Sequence, residues 1–172
     1  GPYVETLLIK YSMDSSEAAP MLEAYDRAVA DLVKGADLSW SDMEKALYIN
    51  DQLARDCRYD TSYSKYTAYD ALVGKTAVCQ GYALAFLELA GRLGLSCEMV
   101  TSGSLDHAWN MVKLGDVYYH VDVTWNDPIA DRLGRARHQY FMKSTAYFKS
   151  EDGGHLEADD WVISGGVEET AA

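Results

Sequence analysis

The polar side chains between residues 78 and 93 are confined to one narrow stripe. They recur at a spacing of four, with one leucine completing the series: Gln80, Leu84, Glu88 and Arg92. A single polar stripe on an otherwise apolar segment predicts a largely buried helix over 78–93. Gly94 fits the left-handed position that follows a helix end. The chain is organised around this central helix.

Two amphipathic helices are predicted before the central one. Asp14–Glu17 has the sequence of a helix cap, and the helical pattern after it runs to about Lys34. Ser41–Glu44 is a capping box that opens a second helix, which reaches Cys57. Two helices are therefore expected between residue 14 and the central helix.

After the central helix the hydrophobic period changes to two, which is typical of strands. Short apolar or alternating runs occur at 96–101, 107–114, 117–125, 139–143 and 161–163. Gly115-Asp116 separates the second run from the third, and a two-residue loop with glycine first suits a type II′ hairpin turn. These runs predict an antiparallel sheet built around one hairpin.

The other segments carry weaker patterns. They are interpreted as a strand or ordered arm at 3–11, a long ordered loop with one helical turn at 58–74, a short helix from Ser144, a loop at 149–160, and a frayed tail at 165–172. At 172 residues with 48% hydrophobic residues, the chain is long enough to form one domain with a sizeable core. We predict a single domain over residues 1–172.

The composition excludes several classes of partner. Lysine and arginine number 15 against 27 aspartates and glutamates, which gives a net charge of -12. Such a surface repels nucleic-acid phosphates and anionic membrane surfaces, and no apolar run is long enough to cross a bilayer. We therefore expect no nucleic-acid partner and no membrane insertion.

The start of the chain and its cysteines bear on location and redox chemistry. Gly1-Pro2 resembles the remnant of a cleaved purification tag, so an extracytoplasmic or cell-surface location after removal of an export segment is favoured over a cytoplasmic one. Cys57, Cys79 and Cys97 fit no metal-ligand spacing and no disulfide framework, although a Cys57–Cys97 bridge stays open. We predict no metal requirement and no cofactor.

The hairpin register brings chemically useful residues together. A two-residue loop places His107 opposite Thr124 and Trp109 opposite Asp122. Because side chains alternate along a strand, one face carries His107, Trp109, Met111, His120, Asp122 and Thr124. His107 and Asp122 become diagonal neighbours within side-chain reach.

Cys79, at the mouth of the central helix, completes a possible nucleophilic site. A thiol is a poor nucleophile until a base lowers its pKa, and a helix N-terminus favours the thiolate. Histidine can take the thiol proton and return it to a leaving group, while a carboxylate on the far ring nitrogen orients the imidazole. Cys79, His107 and Asp122 would fill these three roles, with the Cys79 backbone N–H as an oxyanion donor.

Three motifs carry a family resemblance. Val78–Ala83 (VCQGYA), Asp106–Asn110 (DHAWN) and His120–Asn126 (HVDVTWN) resemble the core of the transglutaminase-like superfamily, particularly its bacterial members. The similarity covers roughly residues 44–143, and the three motifs occur in the family's order and spacing. It implies an α+β, papain-like fold with N-terminal helices and a central cysteine-bearing helix packed on an antiparallel sheet.

The resemblance also implies the chemistry. It assigns a catalytic triad to Cys79, His107 and Asp122, in which the thiolate attacks an amide, forms a thioester and releases ammonia or an amine. Transglutaminase activity and cysteine peptidase or amidase activity share this mechanism, and the sequence leaves the choice open. The expected partner is a protein or peptide substrate with an amide side chain or bond, with an amine as a further acceptor.

Four other side chains are weaker candidates. Tyr69 is interpreted as an oxyanion or substrate contact or as a packing residue, and Gln80 as a neighbour of the nucleophile or a solvated side chain. Trp109 and Trp125 would shield the thioester or simply pack in the core. The other polar residues are not expected to take part in the reaction. His120 is expected to have no catalytic role, His138 and His155 are expected at the surface, and a solvated turn is expected at Asn126, Asp127 and Asp131.

A non-catalytic function is the alternative hypothesis. Some transglutaminase-like domains are thought to bind proteins without turnover, typically with triad residues lost, whereas this chain keeps all three. The paired Cys-x-x-Cys motifs of peptide N-glycanases are absent from the sequence, and Lys75–Val78 replaces the Arg-Gly-Gly of arylamine acetyltransferases. The leading prediction is thiol-dependent acyl transfer or hydrolysis, with a protein-binding scaffold as the alternative.

Overall fold

A computed structural model describes residues 13–127, 134–156 and 160–167. The predicted arm at 3–11 and most of the predicted tail lie outside these ranges. The single domain over 1–172, with a catalytic core at about 44–143, stays a prediction. Over the residues that the structure describes, every helix falls short of the length or the apolar content that a bilayer crossing requires.

The two N-terminal helices form as predicted. Helix α1 spans Ser15–Lys34 and helix α2 spans Asp42–Asp56. Asp14 caps the first and Ser41 caps the second, and each is part of a reciprocal capping box with the glutamate three residues later. The inner face of α2 supplies buried side chains to the main core, among them Ile49.

The segment before the central helix contains more regular structure than its sequence indicated. The predicted single helical turn is α3, Ala68–Leu72. Two short strands, β1 (Arg58–Tyr59) and β2 (Thr76–Ala77), pair in parallel on either side of it. Each strand has only two residues, which is too short for a period-two pattern to be visible.

The central helix is α4, Cys79–Arg92. Its buried positions are Gly81, Tyr82, Ala83, Ala85, Phe86, Leu89 and Ala90, and the predicted polar stripe is the side they leave free. Gly94 follows the helix with φ of 79°, the left-handed conformation that a helix end requires. The predicted helix and its end are confirmed.

Within the described part of the chain, the main sheet has four antiparallel strands in the order β5-β4-β3-β6. Their bounds are β3 Cys97–Ser102, β4 His107–Leu114, β5 Val117–Val121 and β6 Val162–Ile163. Gly115 has φ of 61° in the hairpin loop, where the first central residue of a type II′ turn needs positive φ. Leu114 pairs with Val117, so the predicted hairpin register is confirmed.

The two faces of this sheet belong to different clusters. Val112 and Val121 join α2 and α4 in the main core, whereas Trp109 and Met111 point into a second cluster with Phe148. A cysteine-bearing helix packed on an antiparallel sheet, preceded by helices, is the α+β fold predicted from the sequence. The fold class is confirmed.

Two predictions about the sheet are wrong. Residues 139–143 form turns, with one isolated bridge between Lys143 and His120, and Met142 has φ of 51°, which ends an extended run. Strand β5 stops at Val121, so Thr124 does not lie opposite His107, which pairs instead with Ser102 in β3. A short helix, α5 (Val123–Asn126), begins two residues after the end of β5. The short helix predicted after Ser144 is confirmed as α6 (Thr145–Phe148).

Candidate active site

Cys79 is the first residue of α4 and lies at the wall of a cavity of about 320 Å³. The N–H of Val78 donates to the carbonyl oxygen of Lys65 at 2.8 Å, which ties the helix start to the preceding loop. The cavity is lined by Tyr59, Tyr63, Tyr66, Val78, Cys79, Gln80, Thr101, Ser102, Gly103, Asp106, His107 and Ala108. The thiol and the His107 ring therefore share one opening.

His107, the first residue of β4, is bound to Asp122, which directly follows β5. The distance from His107 Nε2 to Asp122 Oδ2 is 2.7 Å, and the two side chains are 8% and 0% exposed. The other carboxylate oxygen, Oδ1, accepts from the N–H of Trp125 at 3.1 Å, since Asp122 is the N-cap of α5. Asp122 is held by the backbone, and the remaining ring nitrogen of His107, Nδ1, is free for Cys79.

The electrostatics of this pair favour charged forms. Burial alone would lower the pKa of His107, but the charge and hydrogen bond of Asp122, with a hydrogen bond to Cys79, raise it from 6.5 to about 10. Burial would raise the pKa of Asp122, but the charge and hydrogen bond of His107, with the bond from His155, lower it from 3.8 to about 2. At neutral pH the pair is an imidazolium and a carboxylate.

Trp109 and Trp125 both stack on the His107 ring. Their ring centroids lie 5.7 and 5.4 Å from it, with interplanar angles of 22° and 28°. Trp109 is 1% exposed, and neither tryptophan lines the cavity. Their contact is with the histidine itself, so they restrict its orientation and exclude water from its faces.

His120 supports Trp109 from within the second cluster. The Trp109 Nε1–H donates to His120 Nδ1 at 2.9 Å, and His120 Nε2 lies 3.0 Å from the Thr145 hydroxyl. An indole N–H is only a donor, so Nδ1 is an acceptor and Nε2 carries the proton. Burial, with smaller effects of His155 and Lys149, lowers the pKa of His120 to about 3. His120 is a neutral, structural histidine, as its sequence position suggested.

His155 is placed where the sequence did not predict it. Its side chain is completely buried, not on the surface, and its Nε2 lies 3.1 Å from the same Asp122 oxygen that His107 contacts. The opposite nitrogen, Nδ1, lies 2.7 Å from the carbonyl oxygen of Gly153. Asp122 is thus shared by two histidines that are 48 positions apart (155 minus 107) in the chain.

The family of the chain follows from its sequence. A family model described as the transglutaminase-like superfamily matches residues 27–123, which include Cys79, His107 and Asp122. The match covers more than half of the chain. The chain belongs to the transglutaminase-like superfamily. The prediction of the superfamily is confirmed, and the closer resemblance to its bacterial members stays a prediction.

Individual relatives of this transglutaminase-like chain are distant. The kyphoscoliosis peptidase of Homo sapiens is 27% identical over 128 residues, which cover 63% of this chain and 19% of that protein. The chain therefore spans about a fifth of the length of this relative. At the level of the family, these similarities support a cysteine-dependent enzyme. The similarity to the peptidase covers only a small part of that protein.

Two solved structures are also similar. The crystal structure of a TGase is 13% identical, with a TM-score of 0.47, over 66% of this chain and 34% of that one. A candidate cysteine protease from Cytophaga hutchinsonii is 16% identical, with a TM-score of 0.46, over 94% of this chain and 54% of that one. Both TM-scores lie below 0.5, so the assignment rests on the family model.

Two glycines directly before His155 allow this loop of the transglutaminase-like chain to pack closely, so that His155 is buried. A Cβ at Gly153 would collide with the backbone of Tyr147 and Phe148. A Cβ at Gly154, where φ is +69°, would lie 2.8 Å from the Trp125 ring. The pair Gly153-Gly154 is therefore the sequence signal that could have marked His155 as buried.

Replacing Gly154 by alanine is expected to destabilise the protein by about 1–2 kcal/mol, because alanine disfavours positive φ and its methyl group meets Trp125. Urea unfolding measures the change. Gly91→Ala is the matched control, since Gly91 lies in α4 with nothing within 4 Å of its Cβ position and alanine should stabilise that helix by about 0.5–1 kcal/mol. A Gly154→Ala protein as stable as the wild type would contradict this account of the loop.

The cavity wall opposite the sheet is a loop at 60–66, organised by one carboxylate. Asp60 is buried and accepts from the N–H groups of Ser62, Ser64 and Lys65 at 2.9, 2.7 and 3.0 Å. Hydrogen bonds from the Ser62 side chain and from the backbone hold its pKa well below the usual range. A charged Asp60 thus fixes the loop at neutral pH.

The tyrosines that face the cavity are not the one predicted from the sequence. Tyr63 and Tyr66 line it, together with Tyr59 of β1, whereas Tyr69 lies in α3 and does not. Gln80 lines the cavity beside Cys79 and its side chain is exposed. Of the four weaker candidates, the structure brings only Gln80 to the opening; the two tryptophans lie behind the histidine.

Asn126 and Asp127 are buried, so the prediction of a solvated turn is wrong for both. The Asn126 amide donates to Asn50 at 2.8 Å and its oxygen accepts from the N–H of Tyr140 at 2.9 Å. Asp127 accepts from the Tyr82 hydroxyl at 2.7 Å. These side chains tie α2 and α4 to the segment after Asp122. Asp131 lies outside the described residues, and His138 is exposed as predicted.

The other two cysteines are not equivalent to Cys79. All three thiols are free, so the open possibility of a Cys57–Cys97 bridge is not realised. Burial raises the pKa of Cys57 to about 11 and also raises that of Cys97. Neither is ready to act as a nucleophile.

One set of described residues has the donor types of a metal site. The ligand atoms of His107, Asp122 and His155 lie within 4.8 Å of one another. These atoms already contact each other at 2.7 and 3.1 Å, which are hydrogen-bond distances with a proton between the heavy atoms. The arrangement is that of a hydrogen-bonded cluster, and the absence of a metal requirement stays a prediction.

Proposed function

We propose that this chain catalyses acyl transfer or hydrolysis at amide bonds, with Cys79 as nucleophile, His107 as acid and base, and Asp122 as the group that orients His107. The observation that carries the proposal is the shared opening of Cys79 and His107, combined with the 2.7 Å bond from His107 to Asp122. Membership of the transglutaminase-like superfamily supports it.

The first half-reaction forms a thioester. With His107 protonated beside it, Cys79 reacts as a thiolate, and its sulfur attacks the amide carbonyl carbon. The oxygen becomes an anion that the N–H of Cys79 stabilises, because the first-turn N–H groups of a helix have no intrahelical acceptor. The C–N bond then breaks, and His107 gives its proton to the departing ammonia or amine.

The second half-reaction restores the resting pair. Water or a primary amine attacks the thioester carbonyl, and His107 takes its proton. The C–S bond breaks and Cys79 leaves as a thiolate beside the protonated His107. The product is an acid if water attacks and a new amide if an amine attacks.

The cavity chemistry is compatible with a peptide that carries neutral or basic groups. Three tyrosine rings form much of its described wall, and aromatic rings hold peptide side chains and cations. Among the described lining residues, Asp106 is the one acidic side chain and no lysine or arginine is present. A protein or peptide substrate, with an amine as second substrate, fits this wall better than an anionic one.

The test uses a peptide that contains glutamine, with and without a primary amine. Wild-type protein is expected to release ammonia from the peptide, and the mass of the product separates hydrolysis from amine incorporation. Cleavage of the backbone would assign a peptidase. If none of these products forms with a panel of such peptides, while Cys79 is shown to be reactive, amide chemistry is the wrong assignment.

A further inference from the structure

His155 contacts the carboxylate at the centre of the site described above. It lies in the loop after α6 and is completely buried, among the rings of Trp125, Phe148 and Trp109 at 4.1, 4.3 and 4.9 Å. Its Nε2 lies 3.1 Å from Asp122 Oδ2. That oxygen is the one that binds His107 at 2.7 Å.

The hydrogen-bond partners of His155 fix its protons. The carbonyl oxygen of Gly153, 2.7 Å from Nδ1, can only accept, so Nδ1 carries a hydrogen. Asp122 Oδ2 is also an acceptor when ionised, so Nε2 must carry a hydrogen as well. Both contacts are hydrogen bonds to ionised Asp122 and to Gly153 only when each ring nitrogen of His155 carries a hydrogen.

We propose that His155 is a positioning residue of the catalytic centre, which binds Asp122 together with His107 so that the site is a Cys79–His107–Asp122–His155 tetrad. The proposal rests on the proposed function, since it assigns His155 a role in the same reaction. His155 has no place in the cavity wall and acts through Asp122.

His120 shows what a purely structural histidine looks like in the same surroundings. Both histidines are buried and stack on Phe148, at 4.7 Å for His120 and 4.3 Å for His155. The partners of His120 are Trp109 and Thr145, and it makes no hydrogen bond to Asp122. The difference between the two is the bond to the carboxylate.

Two consequences follow from a second cation on Asp122. His155 adds a donor that keeps the carboxylate in one orientation. It also opposes the charge of His107, because two cations on one anion weaken each other's hold on a proton. The described titratable groups that face His155 are Asp122, His107, His120 and Tyr140.

The first test is nitrogen-15 NMR of the histidine side chains in the wild-type protein. The chain has 4 histidines, and single variants assign their signals. At neutral pH we expect both ring nitrogens of His155 to be protonated, and His120 to be protonated on Nε2 alone. A neutral His155 ring in the wild-type protein would overturn the proposal.

The second test compares His155→Phe with His120→Phe, because each keeps a flat ring in the aromatic cluster. The readout is the rate at which iodoacetate labels the cavity thiol, followed against pH; the anionic reagent is helped by a protonated His107 and slows when that proton is lost. In His155→Phe we expect the neutral-pH rate to fall about tenfold and the high-pH decline to move up by about one pH unit.

In His120→Phe the pH position of the decline should stay where the wild type has it. An unchanged profile in His155→Phe, or the same change in both variants, would overturn the proposal. A wild-type thiol that labels slowly at all pH values would instead contradict the proposed function. The two failures are therefore distinguishable, and the NMR result judges His155 in either case.

Discussion

Replacement of Cys79 by alanine is expected to lower amide turnover by about 10³-fold or more, while the fold is kept. The loss is large because the thioester cannot form without this sulfur. Burial raises the pKa of both other thiols, Cys57 and Cys97, so neither can take over. Cys79 is partly exposed at a helix start, so its truncation leaves no large buried cavity. Product formation and urea unfolding measure the two effects.

Cys97→Ala is the matched control for this prediction. Cys97 begins β3, outside the lining of the active-site cavity, and its thiol contacts the carbonyl oxygen of Glu98. Turnover should stay near the wild-type level in this variant. Equal activity in Cys79→Ala and the wild type would exclude the thiol mechanism.

Asp122→Asn is expected to reduce turnover by on the order of 10²–10⁴-fold. In the wild type, Asp122 is the main reason that the pKa of His107 is raised despite burial. Without the carboxylate, burial dominates and His107 becomes neutral, so the thiolate loses its cation. The side-chain amide also has only one oxygen, so it cannot accept from the two histidines on one atom and from the N–H of Trp125 on the other, as the carboxylate does.

The stability loss in Asp122→Asn should depend on pH in a defined way. The His107 contribution is complete below its ordinary pKa of 6.5 and is lost as pH rises through about 10. The Asp122 contribution is present above its ordinary pKa of 3.8 and is lost as pH falls through about 2. Urea unfolding should show the largest difference between the two proteins from about pH 4 to 6.5, and a constant difference would contradict the ion pair.

Local chemistry made much of the fold predictable. The capping boxes of α1 and α2 each lie within four consecutive residues, so they could be recognised from the sequence. The two-residue hairpin loop that begins with glycine determined the register of β4 and β5, starting from the pair Leu114 and Val117. The shared face of His107 and Asp122 followed from alternation along two strands. Cys79 stood at the first residue of a strongly patterned helix. Signals of this kind depend on residues close in sequence.

Contacts between distant segments were not predictable in the same way. Strand β5 ends at Val121 because Asp122 caps a helix instead of continuing the ladder, and a period-two pattern does not reveal that change. His155 reaches Asp122 only through a loop that two glycines allow to pack closely. The loop that carries Tyr63 and Tyr66 is a different case: Asp60 holds it through bonds to nearby residues, but its sequence has no clear hydrophobic period from which those bonds could be predicted.

The most direct test of the central claim is intact-mass labelling with iodoacetamide at mildly acidic pH, where an ordinary thiol with a pKa of about 8.5 reacts slowly. Wild-type protein should take up one label rapidly, Cys79→Ala should lose that label, and His107→Ala should take it up slowly. Slow wild-type labelling that His107→Ala leaves unchanged would mean that Cys79 and His107 do not form a working pair, and it would contradict the proposed enzyme.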